Sequence, residues 1–207
     1  MFKGCISLKN LSALKEWKSS SYASGMFEGC SSLHNLDGLQ NWKVPRDCSY
    51  MFKGCISLKN LSALKEWKEI SNVEGMFEGC SSLQNLDGLQ DWIFKGGYYD
   101  KYNFSNMFKG CSSLQNLDEL KGWNVQIENL EGTFMNCTSL QNVNGLKNWD
   151  IFNCKSFKDM FNGCSSLQNV DVLTQWSIKE GANLEGIFDN CNSLKNIPTF
   201  KSGCAVY

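Results

Sequence analysis

The sequence predicts an α/β fold: a stack of eight coils, each pairing a short helix with a short strand in a parallel stacked sheet. Three observations predict it. The motif Met-Phe-Lys/Glu-Gly-Cys-x-Ser-Leu-x-Asn-Leu-x-x-Leu-x-x-Trp recurs eight times, with its cysteine at Cys5, Cys30, Cys55, Cys80, Cys111, Cys137, Cys164 and Cys191. The gaps are 25, 25, 25, 31, 26, 27 and 27 residues, and a fixed period in this range marks a solenoid in which each copy is one coil. Inside each copy, apolar residues at helical spacing are followed by a Leu-x-x-Leu segment that reads as a strand.

The fourth copy shows the elements in order. Val73, Met76, Phe77 and Cys80 stand at i, i+3, i+4 and i+7, which predicts a helix over about 73–78. The same face recurs as Leu130, Thr133, Phe134 and Cys137, and as Leu184, Ile187, Phe188 and Cys191. A residue able to accept bonds from a helix's first amides precedes it: Asp47, Asn72, Asn103, Asn129, Ser156 or Asn183. Glu74, Glu131 and Glu185 fall in the first turn, where the helix dipole favours negative charge. The residue before each cysteine is always Gly or Asn, the two types that tolerate the left-handed conformation closing a helix, here at Gly79. A two-turn helix is not stable alone, so stacking must hold it.

The strand is expected near 84–87. An asparagine kept in all eight copies (Asn85 here) would form a column bonding turn backbone from coil to coil, since a retained polar residue suggests a satisfied structural role. Seven tryptophans from Trp17 to Trp176 occupy one position of the repeat. They read as a packing spine whose indole N–H bonds a turn carbonyl; a stacking platform for sugars or bases is the alternative. Residues 1–207 form a single repeat domain, with coils starting near 1, 22, 47, 72, 103, 129, 156 and 183 and a tail over 201–207. Residues 1–18 and 51–68 are identical, and 26–42 differs from 76–92 only at His34/Gln84 and Asn41/Asp91. The duplicated unit is therefore a pair of coils.

Composition excludes several classes. A net charge of −1 gives no electrostatic reason to expect nucleic acid. No apolar run approaches the ~18 residues of a membrane span, and no signal-peptide pattern opens the chain, so it reads as cytoplasmic as given. Eleven cysteines accompany one histidine, His34, with no C-x-x-C, so no metal site is expected. The repeat-locked cysteines read as a buried thiol ladder; disulfides between neighbouring coils are the alternative if the chain is exported. No catalytic set, cofactor or phosphate loop is present, and an enzyme is not expected.

The repeated Met-Phe-x-Gly-Cys-x-Ser-Leu-x-x-Leu, followed by Trp and an Asn-rich lead into the next Met-Phe, resembles the BspA-like leucine-rich repeats. It is closer to their branch of about 25 residues first noted in mycoplasma surface lipoproteins and abundant in anaerobic protists. The resemblance covers residues 1 to about 200. It implies a leucine-rich-repeat solenoid and, for many relatives, cell-surface display, adhesion or other protein binding. It supplies no catalytic residues.

The expected function is a non-enzymatic module that binds a protein, or a glycan. The alternative is a structural protein that self-associates end to end through open coils. The candidate partner site is the one long insertion, Ile93 to Asn106, carrying Tyr98, Tyr99, Tyr102 and Phe104. Insertions in repeat stacks map to surface loops, and exposed tyrosines suit interfaces; a tolerated loop folded back on the stack is the other reading. Carboxylates at Asp37, Asp87, Asp118 and Asp171 read as a solvated face, because Ser12, Ser62 and Asn144 interrupt them. The last four residues, Cys204-Ala205-Val206-Tyr207, have only the outline of a prenylation box.

Overall fold

A computed structural model describes residues 1–17, 21–94 and 102–203, with backbone alone for 201–203. The copies do stack in chain order, but the coil is not a helix plus a strand. The described residues contain no α-helix. Regular structure is limited to five 3-10 helices (Ser12–Leu14, Ser62–Leu64, Asp118–Gly122, Asn144–Leu146, Asp171–Gln175) and two parallel pairs of short strands. β1 (Tyr102–Asn103) pairs with β2 (Ile127–Asn129), and β3 (Ser177–Lys179) with β4 (Lys201–Gly203).

Backbone hydrogen bonding explains why the expected helix over 73–78 is replaced by turns. Met76 N–H donates to Val73 O, Glu78 N–H to Gly75 O and Cys80 N–H to Phe77 O, each three residues back, at 3.0–3.1 Å. The intervening amides leave the coil altogether. Gly75, Phe77 and Gly79 donate to Ser105, Met107 and Lys109 O of the next coil at 2.9, 2.9 and 2.6 Å. An α-helix would direct every amide four residues back along its own axis; here half of them knit neighbouring coils. Gly79 is left-handed as expected (φ +75°), but so is Gly75 four residues earlier (φ +56°). Two left-handed residues in one segment bend the chain twice and exclude a helix.

The residues expected as helix caps cap turns instead. Asn72 Oδ1 accepts from Glu74 N–H at 3.2 Å, Asn129 Oδ1 from Glu131 N–H at 2.9 Å, and Asn183 Oδ1 from Glu185 N–H at 2.9 Å. This lead-in is also where strand-like pairing runs, through parallel bridges Tyr22–Asp47, Asp47–Asn72, Asn129–Ser156 and Ser156–Asn183. The expected strand near 84–87 is absent. There one backbone bond links successive coils, as from Gln141 N–H to Gln115 O at 3.0 Å. The kept asparagines use their side chains within their own turns: Asn85 Oδ1 accepts from Asp87 N–H at 3.2 Å, and Asn35, Asn116 and Asn169 repeat the pattern. Backbone pairing at this position is, among the described residues, a single parallel bridge, Asn142–Asn169.

The core is a set of columns. Phe2, Phe27, Phe52, Phe77, Phe108, Phe134, Phe161 and Phe188 stack in order, their ring centroids 5.5–5.8 Å apart and their planes within 10°. Three leucine-type columns and the methionines surround them, nearly all fully buried between the second and seventh coils. Each coil alone would expose these faces; stacking is what removes them from water.

Candidate interaction surface

Two columns expected from sequence have a defined chemistry. All ten described cysteines are free thiols. Each repeat-position thiol beyond the first coil donates to the phenylalanine carbonyl of the coil before it: Cys55 to Phe27 O and Cys80 to Phe52 O at 3.3 Å, Cys164 to Phe134 O at 3.1 Å. Cys48 and Cys154 donate to Pro45 O and Ser156 O. Burial pushes the Cys55 thiol up to about 12 and holds Cys80, Cys111 and Cys137 well above the ordinary range. A buried neutral thiol is a packing and bonding group, not a nucleophile. The indoles behave in parallel. Trp67 Nε1–H donates to Leu39 O at 3.2 Å, Trp92 to Leu64 O at 3.0 Å and Trp123 to Leu89 O at 2.8 Å. Their rings are buried, so the tryptophan column is a spine and not a stacking platform.

The insertion divides into two parts. Tyr98 and Tyr99 lie outside the described residues. Tyr102 and Phe104 are buried, at 6% and 0% exposure. Phe94 packs between them, 5.2 Å from each ring, and Phe104 meets Trp123 and Trp149 edge to face at 5.7 Å. Tyr102 and Phe104 therefore close the core beneath the insertion and do not present their rings to a partner. The lead-in was the signal for this: Phe104 and Met107 precede Phe108 as Val73 and Met76 precede Phe77, which are core, and Tyr102 pairs with buried Ile127 of the next coil.

Polar groups on the surface form columns too. At the residue after Met-Phe, Lys3 pairs with Glu28 at 2.8 Å and Lys53 with Glu78 at 2.9 Å, and Lys109 reaches Glu78 at 4.0 Å. One cluster crosses three coils: Tyr50 O–H donates to Glu74, Asn103 Nδ2 donates to the second Glu74 oxygen at 3.1 Å, and Lys53 sits over the Tyr50 ring at 5.3 Å. The bond to Glu74 raises Tyr50 to about 12, with burial contributing. His34 is exposed, its Nδ1 3.3 Å from Ser32 O. Among the described residues no group of three or more His, Cys, Asp or Glu side chains is placed to hold a metal ion, and no helix is long and apolar enough to cross a membrane.

Stacked copies of a motif built on three leucine columns define a leucine-rich repeat protein. Residues 1–99 match the family described as BspA type leucine-rich repeat region (6 copies), and residues 102–202 match a family described as Mycoplasma protein of unknown function. The resemblance to the BspA-type leucine-rich repeats is thus supported over residues 1–99. It is similar to a solved leucine-rich repeat protein from Bacteroides ovatus, at 16% identity and a TM-score of 0.28, over 93% of this chain and 67% of that one. So low a score carries no argument about the coil. No curated protein matches the chain. Leucine-rich repeat families of this kind are in general protein-interaction modules rather than enzymes.

Proposed function

We propose that the chain is a non-enzymatic protein-binding module, with adhesion as the finer role that its repeat type suggests. One observation carries this reading. The phenylalanine, cysteine, tryptophan and asparagine side chains kept from coil to coil are consumed by the core or by a turn: phenylalanine stacked, thiol and indole bonded to carbonyls, asparagine closing its own turn. What varies between coils is the exposed surface and the insertion, as befits recognition and not a reaction centre. Within the insertion, Tyr98 and Tyr99 are the contact residues we propose, because tyrosine gives large contact area at low entropic cost. Deleting residues 95–100 restores an eight-residue connector and leaves Phe94, Tyr102 and Phe104 in place. The expected result is an unchanged melting temperature and loss of the protein partner that the full chain captures and mass spectrometry identifies. Equal capture by the shortened chain would remove the insertion from the site.

A second reading, end-to-end self-association, is favoured by the direction of the backbone ladder. Amides of the Met-Phe turns donate to carbonyls of the next coil, as Phe2 N–H does to Met26 O and Phe161 N–H to Ile187 O. Those after the cysteine donate to the coil before, as Gln168 N–H does to Gln141 O. The two ends of a stack are therefore complementary, and a head-to-tail contact between them would not close on itself. The first coil leaves Phe2, Leu8, Leu14 and Trp17 partly exposed, while Phe200 covers Phe188 at the other end, 6.4 Å away. Sedimentation across a dilution series tests this reading: a constant mass excludes it.

A further inference from the structure

We infer that the face carrying the residue between the first leucine and the kept asparagine binds an extended peptide of mixed charge, laid along the stack. This position is occupied by Lys9, His34 and Lys59 in the first three coils, by glutamine in the next four, and by Lys195 in the last. All eight residues are exposed. Each is a long side chain that offers N–H donors, and none is acidic, although the chain contains 21 acidic residues. The two coils of the duplicated pair that differ here exchange His34 for Gln84, which keeps the donor.

The fold does not require this. Coils are joined along this column through backbone, His34 N–H to Lys9 O and Lys59 N–H to His34 O at 3.3 Å, and Gln168 N–H to Gln141 O at 3.0 Å. An exposed side chain of either sign would leave that ladder intact. Stability alone would favour alternating signs, since opposite charges on neighbouring parallel strands attract and like charges repel. The chain uses alternation where stability is the outcome, at Lys3, Glu28, Lys53 and Glu78. At the donor column it does not.

Three residues further along, beyond the asparagine, lies a second exposed column of the opposite character. From Ser12 to Asp171 it holds only serine, aspartate or asparagine, with no lysine or arginine in the first seven coils. The two columns flank the asparagines on the first seven coils, so the face is a strip with donors on one side and acceptors on the other. A purely anionic polymer would meet the acceptor column and be repelled; a purely cationic one would meet Lys9 and Lys59. An extended peptide with both signs satisfies both, giving carboxylates and carbonyls to the donors and ammonium or amide N–H to the acceptors. Such a peptide also fits the length: about 12 residues at ~3.3 Å each span roughly 40 Å, comparable to seven steps of 5.5–5.8 Å. The inference rests on the protein-binding reading and assigns the partner's chemistry.

The test measures fluorescence anisotropy of labelled peptides of about 12 residues: alternating Glu-Lys, the same composition in two blocks, all-Glu and all-Lys. The alternating peptide should bind the full chain about tenfold more tightly than the blocks. Gln84→Glu with Gln115→Glu should abolish that preference, and Asp87→Lys with Asp118→Lys should shift it to the all-Glu peptide. All four changes together should restore it; the sites are exposed, and melting curves check that each variant folds. Equal binding of alternating and block peptides, tightest binding of all-Glu or of a sulfated polysaccharide, or indifference to the variants would overturn the inference. The variant carrying Gln84→Glu and Gln115→Glu is also carried through the partner-capture assay. Unchanged capture there leaves the protein-binding reading standing and removes this face from it, whereas no capture by the parent chain removes the module reading itself.

Discussion

Residues 1–94 and 102–203 run the same columns with different surfaces. In the first part the turn position after Met-Phe alternates Lys3, Glu28, Lys53 and Glu78, and ion pairs knit the coils. In the second part the same position holds Lys109, Met135, Asn162 and Asp189, and the ion pairs move to other positions, Lys158 with Glu185 at 3.1 Å and Lys155 with Glu128. Neutral bonds join them there: Asn190 Nδ2 donates to Asn162 Oδ1 at 3.0 Å, and buried Thr133 Oγ1 donates to Phe104 O at 3.0 Å. Left-handed positions shift from mostly glycine (Gly25, Gly29, Gly75, Gly79) to a mixture with Asn106, Asn136, Asp159 and Asn190. Through all of this the phenylalanine, thiol and indole columns continue without a break. The difference teaches that the coil is specified by stacking and by where the backbone turns left-handed, while the polar knit is exchangeable.

A two-coil period also survives the change. In even coils Gly38, Gly88 and Gly145 receive the carbonyl of Leu11, Leu61 and Leu117 from the coil before; a Cβ there would lie 2.1, 2.3 and 1.7 Å from that oxygen. Odd coils carry Ala13, Ala63, Glu119 and Val172 in 3-10 turns, and Gly145 also stands in one, Asn144–Leu146. Gly88→Ala should therefore cost about 3 kcal/mol, combining left-handed strain of about 1–2 with a forced backbone displacement of about 1–3. Gly145 is not left-handed, so Gly145→Ala should cost the displacement alone, about 1–3 kcal/mol, read from chemical denaturation of both variants. A large loss at Gly88 with none at Gly145 would confine the period to the first part. A loss below about 1 kcal/mol at Gly88 would mean that its coil can adopt the 3-10 turn seen at Ala63.

The columns were legible in the sequence because repeat-locked residues must meet their equivalents: Phe77, Cys80 and Trp92 stack and bond as their spacing implied. Their secondary structure was not. Spacing of i, i+3, i+4 and i+7 fits one face of a helix, but consecutive turns of three and four residues return the chain to the core at the same intervals. Glycine was the overlooked discriminator, since Gly25, Gly75, Gly132 and Gly186 stand four residues before the closing Gly or Asn, inside the supposed helix. Extended pairing was placed after the cysteine, where Leu83 and Leu86 suggested a strand, yet it runs through Asn72 and Asn129. At the insertion, Tyr102 and Phe104 looked like exposed aromatics because the register of the next coil was counted from Met107 and not from the lead-in.

The thiol column should respond alike in both parts. Cys80→Ala and Cys164→Ala each remove a buried sulfur and its bond to a carbonyl, at a cost of about 1–2 kcal/mol. Reducing agent should leave the melting temperature of the parent chain unchanged, since the cysteines are free. Alkaline pH should not. Burial raises the folded thiols above their ordinary 9.0, to about 12 at Cys55. The unfolded chain therefore releases protons first, and stability is full below about pH 9 and falls as pH rises toward 12. Both alanine variants should flatten that fall. A drop in melting temperature on reduction would instead place disulfides in the stack.

The ion pairs after Met-Phe are what the first part has at that position, and they should give the smallest effect. Glu78 is the most connected of them, reaching Lys53 at 2.9 Å and Lys109 at 4.0 Å. Both lysines are more than a third exposed, or close to it, so solvent screens the attraction and a pair of this kind contributes at most about 1 kcal/mol. Glu78→Gln should cost no more than that in dilute buffer. The loss should vanish near 1 M salt, where the screening length falls to about 3 Å. Thr133→Val in the second part removes the neutral bond to Phe104 O and should cost about 0.5–1.5 kcal/mol at any salt concentration. The contrast in salt dependence, more than either magnitude, separates a charged knit from a neutral one. If both losses depend on salt equally, the two parts do not differ in how their coils are joined, and the ion-pair column is a by-product of the duplicated pair of coils.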